Sequence, residues 1–312
     1  VISLEPGSRI LVIRSGALGD TIVSLPAIRA LRLAIGPSGR IELVGNQTWL
    51  RLALNSLHGN AIHSIDRARF VGLFSEPVGA ELEAFLAGFD LVVAWCRDEG
   101  GHLARLAERL EGVAWLQSNP FSDVDSASHA SEYLLQTLKP VGIGGAATLP
   151  ELVLSPETDA VCRAFLKETK VRDGNFLAIH PGSGAPRKNW PPERFSRLAH
   201  LARESGMDIL LVEGEADHQA VQALRRSMSW QAPLALNLDL EVLAAVLSRA
   251  QAFVGNDSGV THLAAAAGAP TLAIFGSTDP RIWAPRGPRV EIIPQVAESG
   301  QAWDSIRKLS KW

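Results

Sequence analysis

Three loops carry residue types suited to chemistry, and each follows a short apolar run. The first is Arg14-Ser15-Gly16-Ala17-Leu18-Gly19-Asp20, where Gly16 and Gly19 permit close backbone approach and Asp20 is the only carboxylate. Its G-x-x-G spacing is not the G-x-G-x-x-G of a dinucleotide site, and it lacks the Gly-Lys-Ser/Thr ending of a P-loop. Asp20 has two readings. Either it caps the helix that follows, which the local sequence favours, or it projects as a general base.

The second loop runs from His180 to Pro192 (HPGSGAPRKNWPP). Lys188 can meet a phosphate as a point charge, while Ser183 and the loop amides donate hydrogen bonds. The alternative is a solvated loop whose cations do nothing. Ser183 stands in no G-x-S-x-G elbow, which argues against a hydrolase nucleophile. His180 reads as a core histidine bonded to backbone.

The third loop is the most informative: Gly255-Asn256-Asp257-Ser258-Gly259-Val260-Thr261-His262, opening an alanine-rich helix. Ser258 is expected to cap that helix and leave the amides of Gly259, Val260 and Thr261 free at its positive end. That is a seat for a diphosphate. His262 either donates to the same oxygens or is structural. Asp257 would repel phosphate unless it meets hydroxyl groups, which a sugar supplies. Glu215, just past Gly214, stands where ribose hydroxyls are read in such folds.

Other signals are weaker. Asp123 and Asp125 spell a D-x-D in a serine-rich loop, read here as surface. His63, Arg67 and Arg69 gather positive charge that could receive an anionic acceptor, against the blander reading of a solvated turn. Trp303, Ile306, Leu309 and Trp312 share one face of the tail, with Arg307, Lys308 and Lys311 nearby. A helix docked on the body is the main reading, and peripheral contact with a membrane the lesser one.

The elements that hold these loops follow a rhythm of short apolar run, small-residue loop and helical pattern. Strands are expected at 10–13, 41–44, 91–94, 176–179, 208–212, 252–254 and 271–275. Helices are expected at 21–33, interrupted near Pro26, and at 103–110, 131–138, 193–204, 217–226, 240–248 and 260–267. A glycine- and alanine-rich stretch over 141–150 approaches a linker. The alternation predicts an α/β protein with two parallel sheets, one per half, facing a central cleft.

Composition narrows the class. The 312 residues suggest two domains, and 46% hydrophobic with 20% charged residues exclude a disordered or collagen-like chain. A formal net charge of −3 offers no field for a nucleic-acid backbone. Cys96 and Cys162 lie in no metal-ligand spacing, so no metal is expected. With no spanning stretch and no visible secretory signal, the expected location is cytoplasmic.

Taken together, VIRSGALGDTIVSLPAIRALR, HPGSGAPRKNWPPERF and FVGNDSGVTHLAAAAGAPTLAIFG resemble the bacterial heptosyltransferases of glycosyltransferase family 9. The resemblance implies GT-B architecture, with two Rossmann-like domains: residues 1–150 for the acceptor, and 151–312 for the nucleotide sugar, ending in a helix. It implies inverting transfer of heptose from an ADP-sugar donor to a lipid-linked saccharide, the lipopolysaccharide core, at the cytoplasmic face of the inner membrane and without a cofactor. Asp20 matches the catalytic aspartate and Lys188 the lysine at the donor phosphates. Ser258, Gly259, Val260 and Thr261 match the diphosphate turn, Asp257 the sugar-hydroxyl partner and Glu215 the ribose partner. The Gly-Ala-Pro-Arg run before Lys188 and the acceptor half depart most from the family. A nucleotide-sugar epimerase or hydrolase, or a non-catalytic nucleotide-sugar-binding protein, stays open as the alternative.

Overall fold

The computed structural model describes residues 4–56, 58–120 and 128–310. The chain divides into two compact units, Val1–Val153 and Leu154–Trp312.

In the first unit the elements are β1 Arg9–Arg14, α1 Leu18–Ile35, β2 Arg40–Gly45, α2 Gln47–Asn55, β3 Ala61–Ser64, α3 Ala80–Leu86, β4 Leu91–Trp95, α4 His102–Arg109, β5 Ala114–Ser118 and α5 Ala130–Gln136. The sheet runs β3-β2-β1-β4-β5 with every pair parallel. Ile10 faces Ile41 on one side and Leu91 on the other. Ile10, Leu11, Val12 and Ile13 are fully buried, because helices cover both faces of a parallel sheet.

One expectation fails here. α1 passes unbroken through Pro26, which is buried. Proline removes one helical hydrogen bond at a cost of about 3 kcal/mol. Pro26 and its helical neighbours Ile22, Val23, Leu25 and Ile28 are all buried, and burial of this stretch offsets the lost bond.

The second unit contains α6 Pro156–Thr169, β6 Phe176–His180, α7 Pro192–Glu204, β7 Asp208–Glu213, α8 His218–Ser227, β8 Leu234–Leu236, α9 Leu240–Ser248, β9 Ala252–Asn256, α10 Gly259–Ala266, β10 Thr271–Phe275, α11 Pro280–Trp283, β11 Val290–Pro294 and α12 Ser299–Leu309. Its sheet runs β11-β10-β9-β6-β7-β8, again parallel throughout. Leu177, Ile179, Leu211, Val254 and Ile274 form one face of the core, under Phe195 and Leu198 of α7 and Val221 and Leu224 of α8. α12 docks on the same core through buried Ile306, with Trp303 and Leu309 packed against it. The apolar face of the tail is therefore occupied by the body. Trp312 and Lys311 lie outside the described residues.

Each sheet reverses its winding once: between β1 and β4 in the first unit, and between β6 and β9 in the second. Loops at the C-terminal ends of strands beside such a reversal diverge and leave a crevice. The loop after β1 holds Asp20. The loops after β6 and β9 hold Lys188 and Ser258.

Candidate functional site

In the first unit, Asp20 is the third residue of α1. Ala17, the residue at the helix cap, has no side-chain acceptor, and its amide donates to Asp20 Oδ2 at 2.8 Å. Arg14 Nη2 lies 3.3 Å from Asp20 Oδ1. The Arg14 guanidinium is buried at the end of β1 and also donates to the carbonyls of Ser15, Trp95 and Asp20. Burial pulls the Arg14 pKa down, while Asp20 and the nearby Cys96 oppose it. Gly16, at φ 147°, carries no side chain because a Cβ there would stand 2.8 Å from Asp20 Cβ. The Asp20 side chain keeps 18% of its surface exposed. Capping and availability to a ligand, set against each other by the sequence, coexist in one carboxylate.

The basic cluster of this unit is not a solvated turn. Glu42 on β2 is buried, and it pairs with Arg40 at 2.6 Å and with His63 Nε2 at 2.7 Å. Burial pushes the Glu42 carboxyl up, but Arg40 and His63 together hold it below the usual range. Arg69 Nη2 donates to His63 Nδ1 at 2.9 Å, and its guanidinium lies over Phe70 and Phe85. Arg69 is thus committed to the fold, whereas Arg67 is exposed. Asp123 and Asp125 lie outside the described residues.

In the second unit, the loops after β6 and β9 are joined by the buried side chain of Asn256. Its amide donates to the Pro181 carbonyl at 2.8 Å and accepts from the Trp190 amide at 2.9 Å. Gln295 holds the same loop from outside, donating to the carbonyls of Arg187 and Asn189. Lys188 Nζ is placed 2.6 Å from Asp257 Oδ2, which also accepts from Thr278 Oγ1 at 2.5 Å. The lysine and the aspartate assigned to donor phosphate and sugar are therefore paired with each other. Ser183 turns inward: its hydroxyl faces Ala185 O at 2.7 Å and Asn189 Oδ1 at 2.6 Å, so it braces the loop.

Ser258 caps α10 as expected, but the cap leaves fewer open amides than the sequence suggested. The Thr261 amide donates to Ser258 O at 3.1 Å and to Ser258 Oγ at 3.4 Å, and Thr261 is fully buried. A serine cap satisfies the third amide of a helix, so those of Gly259 and Val260 are left for a ligand. His262 is buried on the same helix. Glu215 is exposed in the turn after β7.

Three groups escaped sequence reasoning. His180 does not bond to backbone; its Nε2 meets Asp217 Oδ2 at 2.9 Å and its Nδ1 meets Ser258 Oγ at 3.2 Å. Burial pushes the Asp217 carboxyl up, yet the His180 hydrogen bond and charge and the Gly214 amide outweigh it and hold it below the ordinary range. Gly182 makes room for this carboxylate, since a Cβ there would stand 1.9 Å from Asp217 Oδ1. Glu213 is buried at the end of β7, with Oε1 2.8 Å from His218 Nδ1 and Oε2 unpaired. Thr278 is the third. The available signal was position: Glu213 and Asp217 flank the loop after a buried strand.

Among the described residues, no group of three or more His, Cys, Asp or Glu could hold a metal ion. No helix among them is long and apolar enough to cross a membrane.

The family described as Glycosyltransferase family 9 (heptosyltransferase) matches residues 107–309. Lipopolysaccharide heptosyltransferase 1 of Escherichia coli (strain K12) is 25% identical over 298 residues, covering 87% of this chain and 89% of that protein. A glycosyl transferase family 9 structure from Veillonella parvula DSM 2008 superposes with a TM-score of 0.83 at 20% identity, covering 97% of both chains. E. coli heptosyltransferase WaaC with ADP gives a TM-score of 0.69 at 21% identity, covering 96% of this chain and 99% of that one.

Proposed function

The chain belongs to glycosyltransferase family 9, a two-unit α/β enzyme of GT-B architecture, and from that premise we propose that it transfers a heptose from ADP-heptose to the lipopolysaccharide core, with inversion. The observation that carries this reading is the start of α10. It is a serine-capped helix end with two amides to spare, beside a lysine whose present partner is a carboxylate. Such an end favours a doubly charged phosphate group. The relatives named for lipopolysaccharide heptosyl transfer, and the related structure that holds ADP, support the choice of donor and acceptor.

The steps follow from the residues. The donor diphosphate takes Lys188 from Asp257, and Asp257 turns to the sugar hydroxyls. The Gly259 and Val260 amides and Lys188 then stabilise the charge that develops on departing ADP, without reorganising at the moment of reaction. Asp20 takes the proton of the attacking acceptor hydroxyl as the new bond forms. Glu215 and Glu213, at the end of β7, are assigned to the nucleoside side of the donor. Arg67 is left to meet an anionic acceptor. The reaction belongs at the cytoplasmic face of the inner membrane, where the enzyme meets its lipid-linked acceptor from solution.

The test is incubation with ADP-heptose and a lipopolysaccharide core lacking heptose. The expected result is one added heptose by mass, with one ADP released per transfer. ADP release without acceptor would instead identify a hydrolase. Equal use of UDP- or GDP-sugars would refute the donor assignment.

A further inference from the structure

Asp217, His180 and Ser258 form a hydrogen-bonded chain across the ends of β7, β6 and β9. It continues to Thr261, whose Oγ1 lies 3.1 Å from Ser258 Oγ and 2.5 Å from the Asn256 carbonyl. His180 is 1% exposed and Asp217 8%. A carbonyl only accepts, so the Thr261 proton goes to Asn256 and Thr261 Oγ1 can only accept from Ser258. The Asp217 carboxylate likewise fixes a proton on His180 Nε2. In the neutral ring Nδ1 is then a bare lone pair. Ser258 has one proton and must aim it there, or two lone pairs would face each other across 3.2 Å. In the doubly protonated ring, Nδ1 donates to Ser258 Oγ, and the hydroxyl hydrogen is free to turn away from the ring, to Thr261 Oγ1 at 3.1 Å or to a bound ligand.

We propose that His180 is a positioning residue whose protonation turns the Ser258 hydroxyl toward the phosphates, so that binding a nucleoside diphosphate at the start of α10 draws a proton from solvent onto His180 Nδ1. The inference rests on the diphosphate seat proposed above. One N–H bond forms, the proton comes from solvent, and Ser258 keeps its own. Asp217 on one side and the incoming diphosphate on the other offset the imidazolium charge. At this end of the packed elements the other titratable groups are Glu213 and His218, paired with each other, Lys188 and Asp257, likewise paired, and His262 of α10, whereas Asp208 of β7 and Arg225 and Arg226 of α8 stand at the opposite ends of their elements. Exposed Glu215 stands in the turn between β7 and α8.

Calorimetric titration of the whole protein with ADP near neutral pH, in two buffers of different ionisation enthalpy, counts the protons taken up. Wild type is expected to take up more protons per ADP than His180→Gln, by a fraction of one. Its ADP affinity is expected to fall more steeply with rising pH than the variant's, because binding and proton uptake are linked. Titration of ADP itself and of the other groups is common to both proteins and cancels. Equal counts in the two proteins overturn the proposal and leave the seat intact. Ser258→Ala, which keeps the histidine–aspartate pair, is the second variant; it too is expected to lose the extra uptake, and full retention would overturn the proposal. Failure of wild type to bind ADP at all would remove the seat, and the proton coupling with it.

Discussion

α1 and α10 both begin just past the end of a buried strand beside the winding reversal of its sheet, and they treat the positive end of the helix in opposite ways. At α1 the cap residue is Ala17, and the helix supplies its own anion: Asp20 folds back onto the Ala17 amide with buried Arg14 behind it. At α10 the cap is the neutral hydroxyl of Ser258, and the nearest carboxylate, Asp257, is held aside by Lys188 and Thr278. One start is filled by a carboxylate of its own helix, and the other carries only a neutral hydroxyl cap. The same strand–loop–helix unit thus gives a fixed carboxylate in one case and, in the other, a helix end whose positive pole meets no carboxylate of its own, and the choice lies in two or three side chains.

The sharpest way to break this contrast is at Asp20. Asp20→Asn preserves an acceptor for the Ala17 amide but removes the base. Turnover should fall by about 10²–10⁴-fold with little change in ADP affinity. Steady-state kinetics beside an ADP titration decide it, and unchanged turnover would reduce Asp20 to a helix cap. At the other helix, Lys188→Ala strands Asp257 beside the seat. ADP affinity should weaken by roughly 10–100-fold, the scale of one lost charge-assisted bond. An unaltered calorimetric titration would show that the seat lies elsewhere.

A smaller effect concerns the support beneath Ser258. The Asp217 carboxyl is held below its ordinary value in the folded protein, so it contributes stability above the ordinary aspartate range, and that contribution is lost as pH falls through the lowered value. Asp217→Asn should therefore be less stable than wild type near pH 7, by on the order of 1–3 kcal/mol, and the gap should close in acid. Urea unfolding at a series of pH values measures this; a gap independent of pH would mean that the carboxylate charge is irrelevant. The smallest effect is expected at Cys96, behind the filled helix start. Burial, with Asp98 adding to it and Arg14 opposing, pushes its thiol up to about 12. A thiol reagent at about pH 8 should leave it unmodified until the chain unfolds. Rapid labelling of the native protein would mean that the first unit opens around the end of β4, where Cys96 is buried.

The central strands were legible because burial on both faces leaves an apolar run no other reading: Ile10–Ile13, Phe176–Ile179 and Thr271–Phe275 lie inside the observed strands. The four edge strands, β3, β5, β8 and β11, were not, since edge strands are only partly buried and carry no clean apolar run. In the candidate site, the Ser258 cap could be read from local spacing. The Lys188–Asp257 pair joins residues 69 positions apart, and the Asp217–His180 bond joins residues 37 apart. Such pairs follow from the order of strands in the sheet, which no loop sequence contains. The Thr261 amide was misjudged for a related reason. The cap that makes the helix end suitable for an anion also consumes one of its donors.

The Asn256 side chain has a consequence beyond its hydrogen bonds. A single primary amide grips the chain at Pro181 and again at Trp190, so the residues between are anchored at both ends to one point on β9. Within that arc Gly182 is tied to the space beside Asp217 and Lys188 to the Asp257 carboxylate, so the tether fixes the ends of the loop while these two positions fix what it presents. The loop is therefore a closed arc whose two ends share one anchor, so loss of the Asn256 amide would free both ends together.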